Sequence, residues 1–153
     1  MENFWKDTIN NLESLHTQAQ SVLAGLSQEA LDWKLQDGAN SLAALVMHLC
    51  GAERYWLGAV AGQAEIVRDR HAEFLSASLD EERLAARLSA ATSYAWQVLW
   101  KLRAANLSEP RLSPRDGKTF TLGWVLLYAV SHTALHLGQM QLTKDLWIAK
   151  NPN

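Results

Sequence analysis

The sequence predicts an all-α fold: a four-helix bundle with a short extra helix, and a short hairpin between the third and fourth long helices. Three observations predict it. Apolar residues recur at spacings of three and four through four long segments, and no segment sustains the period-two alternation of a half-buried strand. The intervals between the segments carry capping residues, Gly or Pro. A chain of 153 residues with 48% hydrophobic content suits one continuous core, so residues 1–153 are read as a single domain.

The first helix is predicted from about Asn3 to Ala24, where Trp5, Ile9, Leu12, Leu15, Ala19, Val22 and Leu23 form one apolar stripe and Gly25 stops the helix. Ser27 then caps a short helix that ends before the Asp37-Gly38 break. Ser41 caps a second long helix, Leu42 to about Val60, whose buried stripe runs through Leu42, Leu45, Leu49, Ala52 and Trp56. Residues 63–76 carry Arg68, Asp69, Arg70, His71 and Glu73 without a clear apolar face and are read as a connection with some helical turns, His71 being solvated. Ser78 and Glu81 have the spacing of a capping box, which opens a third long helix to about Ala105. Two prolines and the Asp116-Gly117 pair follow, and a hairpin is expected at Arg111 to Lys118. Thr121 caps the last helix, predicted to about Ala149. Trp56, Trp96, Trp100 and Trp124 are expected in the core, and Trp5 and Trp147 near the ends, where a second subunit could cover them.

Composition excludes several classes of function. The net charge is −2 from 14 basic and 16 acidic residues, with the basic ones scattered, so no nucleic-acid footprint is present. The N-terminus lacks the basic start and apolar run of a signal peptide, and Cys50 has no second cysteine to pair with, so a cytoplasmic protein is expected. Cys50 is read as a small core residue. Thr119 to Thr143 contains no Asp, Glu, Lys or Arg and is long enough to span a bilayer, but six polar side chains argue for a buried helix and against a membrane. No Ser-His-Asp order, phosphate-binding loop or dinucleotide fingerprint is present.

Chemistry concentrates on that uncharged helix. His132 and His136 lie four residues apart, which advances a helix by about 400° and stacks the two imidazoles on one face. Their seam runs through Leu122, Val125, Leu126, Ala129 and Met140, so both rings are expected to face the core. Two buried imidazoles without partners would cost several kcal/mol. One shared metal ion satisfies a nitrogen of each ring and leaves the other for a supporting acceptor. A pair at this spacing also occurs by chance, so a third ligand matters. His48, beside Leu45 and Leu49, is the candidate; His16 competes but has Thr17, Gln18 and Gln20 around it. Helical projection adds Tyr55, about 20° from His48, together with Tyr128 and Gln139, as pocket candidates. Glu53 projects roughly 140° away from His48 and is assigned to the surface or to a hydrogen bond between helices.

The run Ser41-Leu-Ala-Ala-Leu-Val-Met-His48-Leu-Cys-Gly-Ala-Glu53-Arg-Tyr-Trp56, the later Thr121-Leu-Gly-Trp124, and His132-Thr-Ala-Leu-His136-Leu-Gly138-Gln139 together resemble the DinB-like family over nearly the whole chain. That resemblance implies a four-helix bundle with a three-histidine metal site, falling here on His48, His132 and His136. It also implies a homodimer and a relation to bacterial enzymes that use low-molecular-weight thiols.

The expected function is a metal-dependent enzyme, a hydrolase or a thiol-dependent S-transferase acting on a small molecule. The metal would create a nucleophile from water or a thiol, and no catalytic residue beyond the ligands is assigned. Zinc or nickel is the first expectation, with manganese, iron or cobalt also compatible with imidazole. The alternative is a non-catalytic metal-binding or stress-associated bundle in which the ion ties helices together. A helical interaction module with incidental histidines is a third reading.

Overall fold

The computed structural model describes residues 2–152. Helix α1 spans Glu2–Leu23, and Gly25 follows it with φ +72°, the left-handed conformation that ends a helix without a Cβ clash. Helix α2, Gln28–Asp32, is capped by Ser27, whose hydroxyl accepts from the Ala30 amide. Helix α3 covers Leu42–Glu53, capped by Ser41 through the Ala44 amide. It continues as a π-helical segment, Arg54–Ala61, where the predicted helix was expected to remain regular.

Helix α4, Arg70–Phe74, gives the connection its one helical turn, with Asp69 as cap. Helix α5 spans Glu81–Leu102. Its cap is Asp80, bonded to the Arg83 amide, rather than Ser78. Ser78 instead sits at φ +58° with its amide donating to the Asp32 carboxylate. Strands β1, Pro110–Leu112, and β2, Thr119–Thr121, pair antiparallel with Arg111 opposite Phe120, and so form the hairpin with its strands set slightly wider than predicted. Helix α6 runs Leu122–Lys150 behind the predicted Thr121 cap.

The long helices α1, α3, α5 and α6 enclose a core in two parts. One is built on Trp5, Ile9, Leu12, Trp56, Leu99 and Leu126. The other is built on Val22, Leu45, Leu49, Leu84, Leu88 and Met140. Between them in sequence on each helix lie His16, Glu53, Thr92 and Thr133, joined by hydrogen bonds into one polar layer. His16 Nε2 donates to Glu53 Oε2 at 2.8 Å, His16 Nδ1 meets Thr92 Oγ1 at 2.8 Å, and Thr133 Oγ1 donates to Glu53 Oε2 at 3.3 Å. His16 is 1% exposed, so it is excluded from the histidine site by its own partners and not by polar surroundings.

The tryptophan expectations divide. Trp56 is buried, but Trp96, Trp100 and Trp124 are 41%, 58% and 41% exposed. On α5 the buried stripe is Leu84, Leu88, Ala95 and Leu99, and Trp96 and Trp100 each lie one residue, about 100°, off it. Trp5 needs no second subunit to cover it, being 4% exposed within the chain, and Trp147 packs on Trp33 at 5.8 Å between ring centroids.

Candidate metal centre

Helix α3 brings His48, and α6 brings His132 and His136, to one place: each imidazole offers a nitrogen, and the three lie within 4.8 Å of one another. The rings of His48 and His136 meet edge to face at 4.8 Å, and those of His132 and His136 at 4.4 Å. His48 and His136 are buried and His132 is half-buried, at the rim of the α6 stripe, because Thr133 and Leu137 take the positions closest to the core.

The hydrogen bonds fix two tautomers. Glu73 Oε2 lies 3.0 Å from His48 Nδ1, nearer than Arg68 Nη2 at 3.4 Å, and a carboxylate only accepts, so Nδ1 carries the proton and the Nε2 lone pair is free. Gln139 Oε1, 2.8 Å from His136 Nδ1, does the same for that ring. The freed His136 Nε2 then faces His132 Nε2 at 3.2 Å. Two lone pairs at that distance repel unless a proton or a cation lies between them. Burial lowers the pKa of all three imidazoles, taking His132 to about 4, with the neighbouring His136 and His48 adding to the shift there. Three converging neutral imidazoles, two of them braced at the outer nitrogen, are the donor set that a divalent transition metal takes.

Sequence reasoning missed the support for His48. Arg68 grips both oxygens of Glu73, with Nε 2.6 Å from Oε1 and Nη2 2.7 Å from Oε2. Phe74 stacks on the His48 ring at 4.4 Å. Gly51 makes this approach feasible, since a Cβ there would overlap the Glu73 carboxylate. Arg68, Glu73 and Phe74 come from the charged connection after the π-helical segment, and the Asp69 cap was the available signal.

The family model for the DinB superfamily matches residues 11–140, a span that contains all three histidines. The chain belongs to the DinB superfamily. Among solved structures, it is similar to YfiT from Bacillus subtilis, described as a probable metal-dependent hydrolase with an unusual four-helix bundle topology. The match has a TM-score of 0.70 at 16% identity and covers 94% of this chain and 87% of that one. No curated protein matches the chain.

In this DinB-superfamily chain the other predicted residues separate. Gln139 is bonded to His136, although its seven-residue spacing had linked it to His132. Tyr128 lies 5.5 Å from the His132 ring and continues a stacked column through Trp124 to Phe120, with centroid spacings of 5.0 and 4.2 Å. Tyr55 turns its hydroxyl to the hairpin, 2.9 Å from Ser113 Oγ and 3.2 Å from the Arg115 amide. It falls just past the start of the π-helical segment, where i→i+5 bonding ends the 100° step on which its projection rested. Glu53 is 2% exposed and belongs to the polar layer, so of its two assignments the hydrogen bond between helices is the one realised.

Proposed function

We propose that His48, His132 and His136 hold one divalent transition metal, zinc or nickel first, and that the protein is a metal-dependent enzyme acting on a small molecule. The observation that carries this reading is the convergence of three imidazole nitrogens, two of them freed by Glu73 and Gln139. When bound, such an ion supplies Lewis acidity that turns water or a thiol into a nucleophile near neutral pH. The chain's own groups orient the donors: Glu73 and Gln139 hold the outer ring protons, and Phe74 and Tyr128 flank His48 and His132. The description of YfiT favours water as the nucleophile; the family's relation to thiol-using enzymes favours a low-molecular-weight thiol. Metal-loaded protein assayed on ester, amide and electrophilic substrates, with and without bacillithiol, mycothiol or glutathione, separates the two. Turnover that ignores thiol identifies a hydrolase, and turnover that requires it a transferase. Absence of stoichiometric metal after purification and titration under metal-replete conditions would overturn both.

A homodimer is part of the proposal. Leu127, Leu135 and Leu142 are 64%, 59% and 59% exposed, and with Trp124 they form an apolar stripe along one side of α6. Sedimentation should give twice the chain mass, and Leu135→Glu should return it to one. A cytoplasmic location is proposed on the free, buried Cys50. No helix among the described residues is long and apolar enough to cross a membrane.

A further inference from the structure

One cleft is lined by none of the three histidines. It holds about 480 Å³ between α3, the connection that carries α4, and α5, within the size range of small-molecule sites. Its apolar lining includes Met47, Ile66, Ala90 and Ala91, and its charged lining is unevenly satisfied. Each of the three acids has at least one hydrogen-bond partner. Glu53 is bonded through Oε2 to His16 and Thr133, Glu73 to Arg68 and His48, and Asp69 to the Ala72 amide at the start of α4. Arg68 is likewise spent on Glu73. Arg54 and Arg87 are not: among the described residues neither guanidinium has a carboxylate within ion-pair distance. Arg54 lies over the Tyr94 ring at 4.9 Å, held at the cleft by a stacking contact that leaves its N–H groups free. Tyr94 is in turn seated against Gly58, where a Cβ would overlap its hydroxyl.

We infer that this cleft is a second binding site, for a small organic anion whose apolar body lies on the α3–α5 floor and whose carboxylate or phosphate group pairs with Arg54 and Arg87. The charged side chains of the lining without a hydrogen-bond or ion-pair partner among the described residues are these two guanidiniums, and the surface around them is apolar, so neither a bare inorganic ion nor a neutral hydrocarbon fits as well. Cys50 lines the same cleft but takes no covalent part, because burial raises its thiol pKa far above the ordinary range. The site shares Glu73 and Arg68 with the support of His48 but takes none of the three histidines.

The test titrates 2-naphthoate, 2-naphthylphosphonate and the neutral 2-naphthalenemethanol into the protein by calorimetry, with and without bound metal. Amide resonances of Ala90 and Ala91 report the cleft, and those of residues 132–136 report the histidines. Saturable one-to-one binding of an anion, shifts at Ala90 and Ala91 whether or not metal is present, and a loss of affinity of roughly tenfold or more in Arg54→Gln/Arg87→Gln are expected. The tighter of the two anions tells carboxylate from phosphate. Both arginines are exposed, so the double variant should keep the wild-type melting temperature. Equal affinity for the alcohol, unchanged affinity in the double variant, no saturable binding, or binding that needs the metal and shifts only residues 132–136 would overturn the assignment.

Discussion

Glu73 accepts the Nδ1 proton of His48 at 3.0 Å while Arg68 holds both of its carboxylate oxygens, so one ion pair on the α4 connection sets the orientation of a ring on α3. Acceptors of this kind fix a histidine's tautomer and raise its basicity as a ligand. Removing Glu73 should therefore weaken metal binding without removing a donor. Glu73→Ala is expected to lower affinity about 10- to 100-fold in a chelator competition. Unchanged affinity would show that His48 is positioned by Phe74 alone.

Gly51 bears on the same contact, and substituting it replaces no charged residue. A methyl group at this position overlaps the Glu73 carboxylate, so Gly51→Ala must push Glu73 away from His48 or shift α4. The expected result is a destabilisation of about 1–3 kcal/mol by denaturant titration, together with weakened metal binding. Ala substituted for Gly within a helix would otherwise be mildly stabilising, so the sign of the change decides the matter.

Metal binding and bundle stability should be separable. His132→Ala removes one donor and should abolish stoichiometric metal. Chelator should then lower the melting temperature of wild type and leave that of His132→Ala unchanged, since only the wild type gains stability from a bound ion. A collapse of the His132→Ala fold would favour the reading in which the ion mainly ties helices together.

The polar layer that divides the core gives a double-mutant cycle. His16→Leu leaves the Glu53 carboxylate buried with Thr133 as its remaining partner; Oε1 already has none among the described residues. That single change should cost about 3–5 kcal/mol, whereas His16→Leu/Glu53→Leu should cost less than the sum of the two single changes. Additive losses would show that the two residues act independently despite their 2.8 Å contact.

What the sequence made legible follows from the helical repeat. His132, His136 and His48 could be placed because regular helix carries a residue's angle forward at 100° per step, and Ser41 and Thr121 fixed where two of those helices begin. Helical projection lost precision where the repeat ended. Beyond Glu53 the backbone turns π-helical, and Tyr55, close to His48 in projection, ties its hydroxyl to the hairpin. Glu73 and Arg68 were hidden because a short segment dense in charge has the pattern of a solvated loop. Their burial depends on finding each other and His48, a tertiary event with no periodicity. His16 was ranked below His48 for its polar neighbours in sequence, but Thr17 and Gln18 lie on other faces of α1 and Gln20 bonds to α5, while the partners of His16 come from α3 and α5.

The depressed pKa of His132 makes stability depend on pH in a defined direction. Burial and the two neighbouring imidazoles bring it from the ordinary 6.5 to about 4 in the folded chain. Between those values the unfolded chain binds a proton that the folded chain does not, so stability rises with pH. The contribution is complete above about pH 6.5 and is lost as pH falls through about 4. His48 and His136, shifted the same way, steepen the loss. The melting temperature of metal-free protein should therefore fall across that window, and His132→Asn should flatten the fall. Bound metal should be released over the acid side of the same range, because protons compete for the lone pairs that would hold the ion. A melting temperature that is flat from pH 7 to 4 in metal-free wild type would mean that the histidines are not held neutral by burial, and would remove the electrostatic basis for the site.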